Sequence, residues 1–447
     1  MQTHPDSPVD PAEPNGGGPG AHRRSRALRR AVAAVLRLSV AFGATLVGVA
    51  ATLATAAVTT VPALFLAAGP LTGVLVWWWV RRLVDRRRGS GRPGARPLVG
   101  ASAAIVALAA VLIPLGDPVR PAPAPPGAGG WTMPDGARLA YGVVRARPGS
   151  APRTPVVVLH GGPGVPDLAG QLAALRPLSD DGHDVWAYAQ RGSGGSSRLA
   201  DPAGYTVDQA VGDLEQVRQR IGADQVILVG HSYGAFLAAT YAVRFRHRVA
   251  RLVVSSPGDL DQDGLGGAPQ SRLDDAARRR VYALLAPPRA LLAYALTKVD
   301  PAAAHAFAGD RELDARQDRV YAALQPAMHC PGRAAPRLHG LGFYANHVPE
   351  NMRRSPAQRA RDLRMSAVPT LVVKGQCDYL TWESALRYLD VFPNAQLCYL
   401  LGAGHDVYVD EPARYQNAVR AFLRDTPVPG LLAQPRLAPA TYQRLPR

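Results

Sequence analysis

Residues 226–242, VILVGHSYGAFLAATYA, constrain the fold more tightly than any other stretch of the chain. An apolar run leads into Gly230-His231-Ser232-Tyr233-Gly234, and a helical apolar pattern follows. That reads as strand, sharp turn and helix, with a serine at the apex of a G-x-S-x-G elbow. Such a turn forces Ser232 into a strained backbone conformation and brings the chain close to itself. Only small residues fit two positions before and two after, hence Gly230 and Gly234. The hydroxyl then stands above the C-terminal edge of a sheet, and Ser232 is the expected nucleophile.

A serine hydroxyl is a poor nucleophile at neutral pH. It needs a neutral imidazole to take its proton and a carboxylate to orient that imidazole. In a strand-elbow-helix topology these partners follow later in the chain, acid before base, on loops after the last strands. Residues 369–375, PTLVVKG, form a short β-branched run with Asp378 three residues beyond, and the run 396–404, QLCYLLGAG, ends directly on His405. Ser232, Asp378 and His405 are therefore the expected triad. Asp259, after the strand-like VARLVVSSP at 249–257, is the rival acid. Asp406 adjoins His405 too closely to serve it, and the elbow is expected to turn His231 away as a packing residue. The buried-strand pattern TPVVVLHGGPG, 154–164, breaks into a glycine turn whose amides can face a developing negative charge. The expected oxyanion donors are the amides of Gly162 and Tyr233, and His160 at the head of the turn is read as a structural hydrogen-bonding residue.

HGGPG (160–164), AQRGSGGSS (189–197), VGDLEQVRQRIG (211–222) and GHSYGAFLAATYA (230–242) together resemble the proline iminopeptidase branch of the α/β-hydrolases. The resemblance spans about residues 131–425. It implies an α/β fold with a mostly parallel eight-stranded sheet, a helical cap over the site, and a serine peptidase that cuts short peptides through an acyl-enzyme. Three departures separate the chain from that branch. Ala189 stands where the branch usually has Asp. His231 and Tyr233 replace the flanks of its GGSWG elbow. The cap region 258–366 lacks the tryptophan of the element that binds the substrate's free amine. The resemblance thus implies the catalytic machinery and not the prolyl specificity. An esterase or lipase-like ester hydrolase would use the same triad, and a catalytically silent binding protein could keep the same fold. An amine-reading enzyme needs a carboxylate in its pocket; the cap offers Glu312, Glu350 and the aspartates within 259–263 and 310–318.

The other end of the chain carries no charge from Leu38 to Val80, a run of 43 residues. One bilayer crossing takes about 20 apolar residues, so this run suffices for two spans, near 38–58 and 61–80, turning at Thr59-Thr60 before Pro62. A third span is expected over PLVGASAAIVALAAVLIPL, 97–115. Arginines 23, 24, 26, 29 and 30 precede the first span, and seven more lie between the second and third. Both groups belong on the cytoplasmic side, which sends everything after residue 116 outside. The expected localisation is a multi-pass cell-membrane protein with an extracytoplasmic catalytic domain. WWW at 77–79 falls at the inner interface.

Residues 1–97 hold 13 Arg against four acids, more than half of the net charge of +17. Topology explains this charge, so no nucleic-acid partner is expected, and no phosphate loop or metal-ligand spacing stands out. The expected partners are a small peptide or ester substrate and the lipid bilayer, with no cofactor. The chain divides into a disordered tail (1–21), a membrane anchor (22–116), a stiff proline-rich linker (117–130), the hydrolase domain (131–425) with its cap at about 258–366, and a C-terminal tail (426–447). Helical stretches at 274–286 and 312–325 should close their apolar faces over Ser232. Cys330, Cys377 and Cys398 lie in the exported domain, where disulfides persist. A Cys330–Cys377 bridge would tie the cap to the acid loop, and three unbridged thiols fit the sequence equally well.

Overall fold

A computed structural model of the protein describes residues 19–88, 111–112, 124–260, 267–333, 335–348 and 366–443. They form a helical N-terminal unit and a larger α/β unit.

The N-terminal unit is built from helices Pro19–Ala56 and Pro62–Arg88, joined by a short turn. The expected turn at Thr59-Thr60 lies in that connection, because Pro62 restarts a helix but cannot continue one. Within these helices Ala31–Ala56 and Pro62–Leu83 are long and apolar enough to cross a membrane, and most of their surface is exposed. Small residues line the seam between them: a Cβ on Gly48 would stand 2.8 Å from the Gly69 carbonyl oxygen, and one on Gly73 3.1 Å from that of Ala44. Small residues at a helix seam let two backbones approach this closely. The first helix begins at Pro19, so residues 19–21 are helical rather than part of a disordered tail. The third span expected at 97–115 falls outside the described residues apart from 111–112, and so does the linker before residue 124.

The α/β unit is organised by one eight-stranded sheet in the order β1-β2-β4-β3-β5-β6-β7-β8. The strands are β1 (Gly129–Thr132), β2 (Arg138–Val144), β3 (Val156–Leu159), β4 (Val185–Tyr188), β5 (Val226–His231), β6 (Val249–Ser255), β7 (Thr370–Gly375) and β8 (Ala395–Leu400). β1, β2 and β4 pair antiparallel, and every pairing from β4 through β3 to β8 is parallel. The sheet is mostly parallel, as expected. Strands buried on both faces need apolar residues at every position, and β3, β4, β5 and β7 are buried throughout. Their alternation divides the core. Val157, Leu159, Leu228, Val254 and Val372 pack on helices Val207–Ile221, Tyr233–Arg244 and Trp382–Val391. Val156, Val158, Val229, Val253 and Val373 pack on helices Leu168–Leu175 and Pro412–Leu423.

Between β6 and β7 the described chain folds into a set of helices, the longest being Asp275–Leu285, Pro288–Val299 and Asp310–Leu324. The stretch expected as a C-terminal tail is ordered against the domain through residue 443. Its backbone bonds the edge strand, Tyr399 N to Gly430 O at 2.9 Å and Leu432 N to Leu397 O at 3.0 Å, and Tyr442 is buried. Covering an edge strand in this way satisfies amides that would otherwise template aggregation.

Cys330 and Cys377 form a disulfide that joins the end of the cap to the loop after β7, while Cys398 is a buried free thiol. The bridge closes a loop of 47 residues. Removing it in Cys330→Ser/Cys377→Ser should lower stability by about 2–4 kcal/mol; equal urea midpoints for the variant and the parent would show that the bridge carries no such load.

Candidate active site

The turn after β5 has the geometry its glycines require. Ser232 sits at φ 53°, ψ −118° and opens helix Tyr233–Arg244. A non-glycine residue held there stores about 1–3 kcal/mol of strain. Its backbone is pinned on both sides, Ser232 N donating to Ser255 O and Gly258 N donating to Ser232 O, each at 3.0 Å. A Cβ on Gly234 would lie 2.1 Å from the Leu159 carbonyl oxygen, and one on Gly230 2.4 Å from that of Gly234. Neither position admits a larger residue.

The loop after β7 carries Asp378 and the loop after β8 carries His405. Asp378 Oδ1 accepts from His405 Nδ1 at 2.8 Å and from the Leu380 amide at 3.0 Å. Its Oδ2 accepts from the Lys374 ammonium at 2.7 Å. Burial pushes the Asp378 carboxyl up, but Lys374 and His405 outweigh it and hold the group below the usual carboxylate range. Burial also lowers His405 against the pull of Asp378, so the ring is neutral near pH 7. An ionised acceptor on Nδ1 fixes the proton there and leaves Nε2 as the basic nitrogen. Asp378 rather than Asp259 bonds His405; Asp259 lies in the segment beyond β6, near Tyr388.

Ser232 and His405 line one cavity of about 300 Å³, together with Gly161 and Gly162. Gly162 has φ 115°, and Gly161 lies so near the elbow that a Cβ there would be 3.0 Å from that of Ser232. Tyr233 is the first residue of the helix beyond the elbow, where backbone amides lack intrahelical acceptors. From the cap, Val281, Leu285, Val320, Tyr321 and Leu324 face the same cavity. These are the apolar faces of the two helical stretches read from the sequence.

The structure corrects the reading of His231. Its ring lines the cavity, 4.9 Å from the His405 ring, and its Nε2 bonds Asp406 Oδ1 at 3.0 Å. The strand-to-helix turn that lifts Ser232 leaves the preceding side chain buried beside the base loop, packed on the His405 and Tyr408 rings. Asp406 serves this second imidazole and not His405, and His231 outweighs burial to hold it below the carboxylate range. Tyr379 is a further addition: it packs on His405 at 4.4 Å between ring centroids and hydrogen-bonds Ser232. Adjacency to Asp378 was the only sequence signal for it. Ligand atoms of His231, His405 and Asp406 lie within 4.8 Å of one another, a spacing that a metal ion could bridge. Asp378 and the His231–Asp406 pairing already engage them.

His160 is fully buried, its Nδ1 on Gly161 O and its Nε2 accepting from the Gln190 amide, both at 2.9 Å. Burial lowers it to about 4, so it holds the glycine turn as a neutral group. The motifs at 189–197 and 211–222 meet in a buried bidentate pair, Arg191 on Asp213 at 2.7 and 2.9 Å. The cap carboxylates are committed elsewhere. Glu312 pairs with Arg289, Asp314 with Arg198, and Asp310 with His305, while Asp318 accepts from the Gly340 and Leu341 amides. None of them lines the cavity, whereas Asp406 does. Glu350, Asp261 and Asp263 lie outside the described residues.

Residues 154–412 match the family described as alpha/beta hydrolase fold. A stretch of 102 residues is 40% identical to a proline iminopeptidase of Saccharolobus solfataricus, covering 23% of this chain and 32% of that protein. A proline iminopeptidase of Lactobacillus delbrueckii subsp. lactis is 29% identical over 286 residues, 61% of this chain and 90% of that one. The crystal structure of a proline iminopeptidase from Mycobacterium smegmatis aligns at 20% identity with a TM-score of 0.44, covering 67% of this chain and 98% of that one.

Proposed function

The chain belongs to the α/β-hydrolase family, and from that premise we propose that it is a membrane-anchored serine hydrolase that cleaves short peptides at their N-terminal residue. The observation that carries the catalytic part is the buried Asp378–His405 bond of 2.8 Å beside a strained Ser232 on one cavity wall.

In this reading His405 Nε2 takes the proton as Ser232 Oγ bonds to the substrate carbonyl carbon. The carbonyl oxygen becomes an oxyanion held by the amides of Gly162 and Tyr233. As the tetrahedral centre collapses, the C–N bond breaks and the departing amine takes the proton from His405. Water then attacks the acyl-enzyme by the same route, releasing the acid and restoring Ser232. Asp378 holds the imidazole in its tautomer and stabilises the imidazolium in both halves.

The aminopeptidase part draws on the names of the relatives and on Asp406. An N-terminal ammonium loses its water on entering a small cavity, which is unfavourable without a carboxylate in reach. Asp406 is the one carboxylate lining the cavity among the described residues. One observation favours an ester hydrolase instead: the described cap carboxylates are engaged away from the cavity, whose cap wall is largely aliphatic and aromatic.

The anchor extends the reading to location. Two helices of membrane-spanning length, arginines at both ends of the pair, and a third apolar run at 97–115 support three crossings with the catalytic unit outside. A disulfide between Cys330 and Cys377 fits an oxidising compartment.

Three measurements test these statements. Ser232→Ala and His405→Ala should each lower kcat by ~10⁴ or more, because the residues act as a unit; a fluorophosphonate probe that labels the Ser232→Ala variant as well as the parent would remove the nucleophile assignment. N-acetylating a peptide substrate should abolish its cleavage, whereas equal rates on acetylated and free peptides would replace the aminopeptidase by the ester hydrolase. A reporter active only outside the cytoplasm should work when fused after residue 130 and stay silent when inserted within 83–95; the opposite pattern inverts the anchor.

A further inference from the structure

All but two of the 51 basic residues are arginine, and one of the two lysines has no exposed surface at all. Lys374 is the next-to-last residue of β7, in register with Tyr399 of β8. A buried ammonium is stable only when its charge is paired and its protons are taken up. Lys374 Nζ donates to Asp378 Oδ2 at 2.7 Å and to the Leu380 carbonyl at 2.9 Å. The C-terminal stretch closes over the pair, Tyr442 donating to the same Leu380 carbonyl at 2.9 Å. A compact ammonium fits a site in which a planar guanidinium would need room for five donors. The triad acid is thus held on both oxygens, by a cation on one side and the catalytic imidazole on the other.

We propose that Lys374 is a positioning residue of the triad: its buried ammonium locks the Asp378 carboxylate on His405 and offsets the charge that carboxylate presents, so that His405 stays an unprotonated base into mildly acidic solution. A lone buried carboxylate would stabilise the imidazolium strongly and switch the base off at a higher pH. With Lys374 present, His405 faces a dipole. The other groups around the pair leave this balance in place. His405 also faces Tyr379, Ser232, His231 and Asp406, and the last two act on it in opposite directions. Asp378 also feels Arg272 and Tyr442, and Lys374 feels Glu383. Burial separately lowers His405 below the ordinary imidazole value, against the pull of Asp378.

The sign of the effect follows from charge alone. Removing the cation favours the protonated ring, so the pH at which the base becomes available rises. A unit charge on the far side of one carboxylate from the ring, at an effective dielectric of about 20, moves that midpoint by about one pH unit or more.

The inference rests on Ser232 as nucleophile and is tested on the full-length protein in detergent. The second-order rate of fluorophosphonate labelling is measured from pH 4.5 to 9, which needs no knowledge of the substrate. For the parent the acid limb should have its midpoint below ~6.5, the ordinary imidazole value. For Lys374→Met the limb should move up by about one unit or more, with labelling at high pH largely retained. A parent midpoint at or above ~7 overturns the proposal even if the variant fails to fold. So does a Lys374→Met profile lowered equally at every pH, the signature of a purely structural lysine. Absence of labelling in the parent at all pH values would remove the serine-hydrolase reading itself, and this inference with it.

Discussion

A carboxylate with no access to water keeps its charge only if donors in the protein replace the solvent it lost. Asp378 is in that position, and the donors that hold it come from separate elements. Lys374 arrives from β7, Leu380 from the loop that follows, and His405 from the loop after β8. The parallel pairing of β7 with β8 brings the last two loops to the same sheet edge. β5 ends at that edge too, and the strained elbow beyond it presents Ser232 to the cavity that His405 lines. Sheet order, elbow and loop lengths all converge on keeping one buried charge satisfied beside one strained serine.

Legibility from sequence follows the range of the forces involved. The elbow could be read because its demands are local: Gly230 and Gly234 are small for steric reasons acting within five residues. The pairing of Asp378 with His405 could be read because a strand end is a local pattern and both residues follow strand ends. His231 was misread, since its partner Asp406 is supplied by a loop far along the chain and no local pattern reports where a ring turns beyond a strained residue. Lys374 gave no signal because one basic residue near a strand end is ordinarily solvated. The C-terminal stretch to residue 443 reads as a tail since it joins the sheet through backbone bonds, which leave no hydrophobic period.

Charge partners also decide what the cap can do. Read as isolated residues, Glu312, Asp314 and Asp318 were equal candidates for a substrate amine. In the fold each supports the protein instead, two through arginines and one through loop amides. The pocket's cap wall mixes apolar side chains with Gln270, Gln317, Asn346 and His347, opposite a floor that includes His231, His405 and Asp406. Polar groups thus line both walls, and the loop after β8 carries two of them, His405 and Asp406.

Residues 328–330 connect the features described separately above. Met328 O accepts from the His405 amide at 2.6 Å, His329 bonds Asp410 at 2.8 Å, and Cys330 is bridged to the residue before Asp378. Asp410 in turn accepts from the Gly404 amide at 2.7 Å. Three consecutive residues thus rivet the end of the cap to both the acid loop and the base loop. The cap is fastened on its other side too, Gly194 N donating to Gly340 O at 2.7 Å and Gly342 N to Gly164 O at 2.8 Å. Bonds at the loops after β3 and β4 as well as β7 and β8 therefore set the spacing between the cap's cavity wall and Ser232, which no single hinge governs.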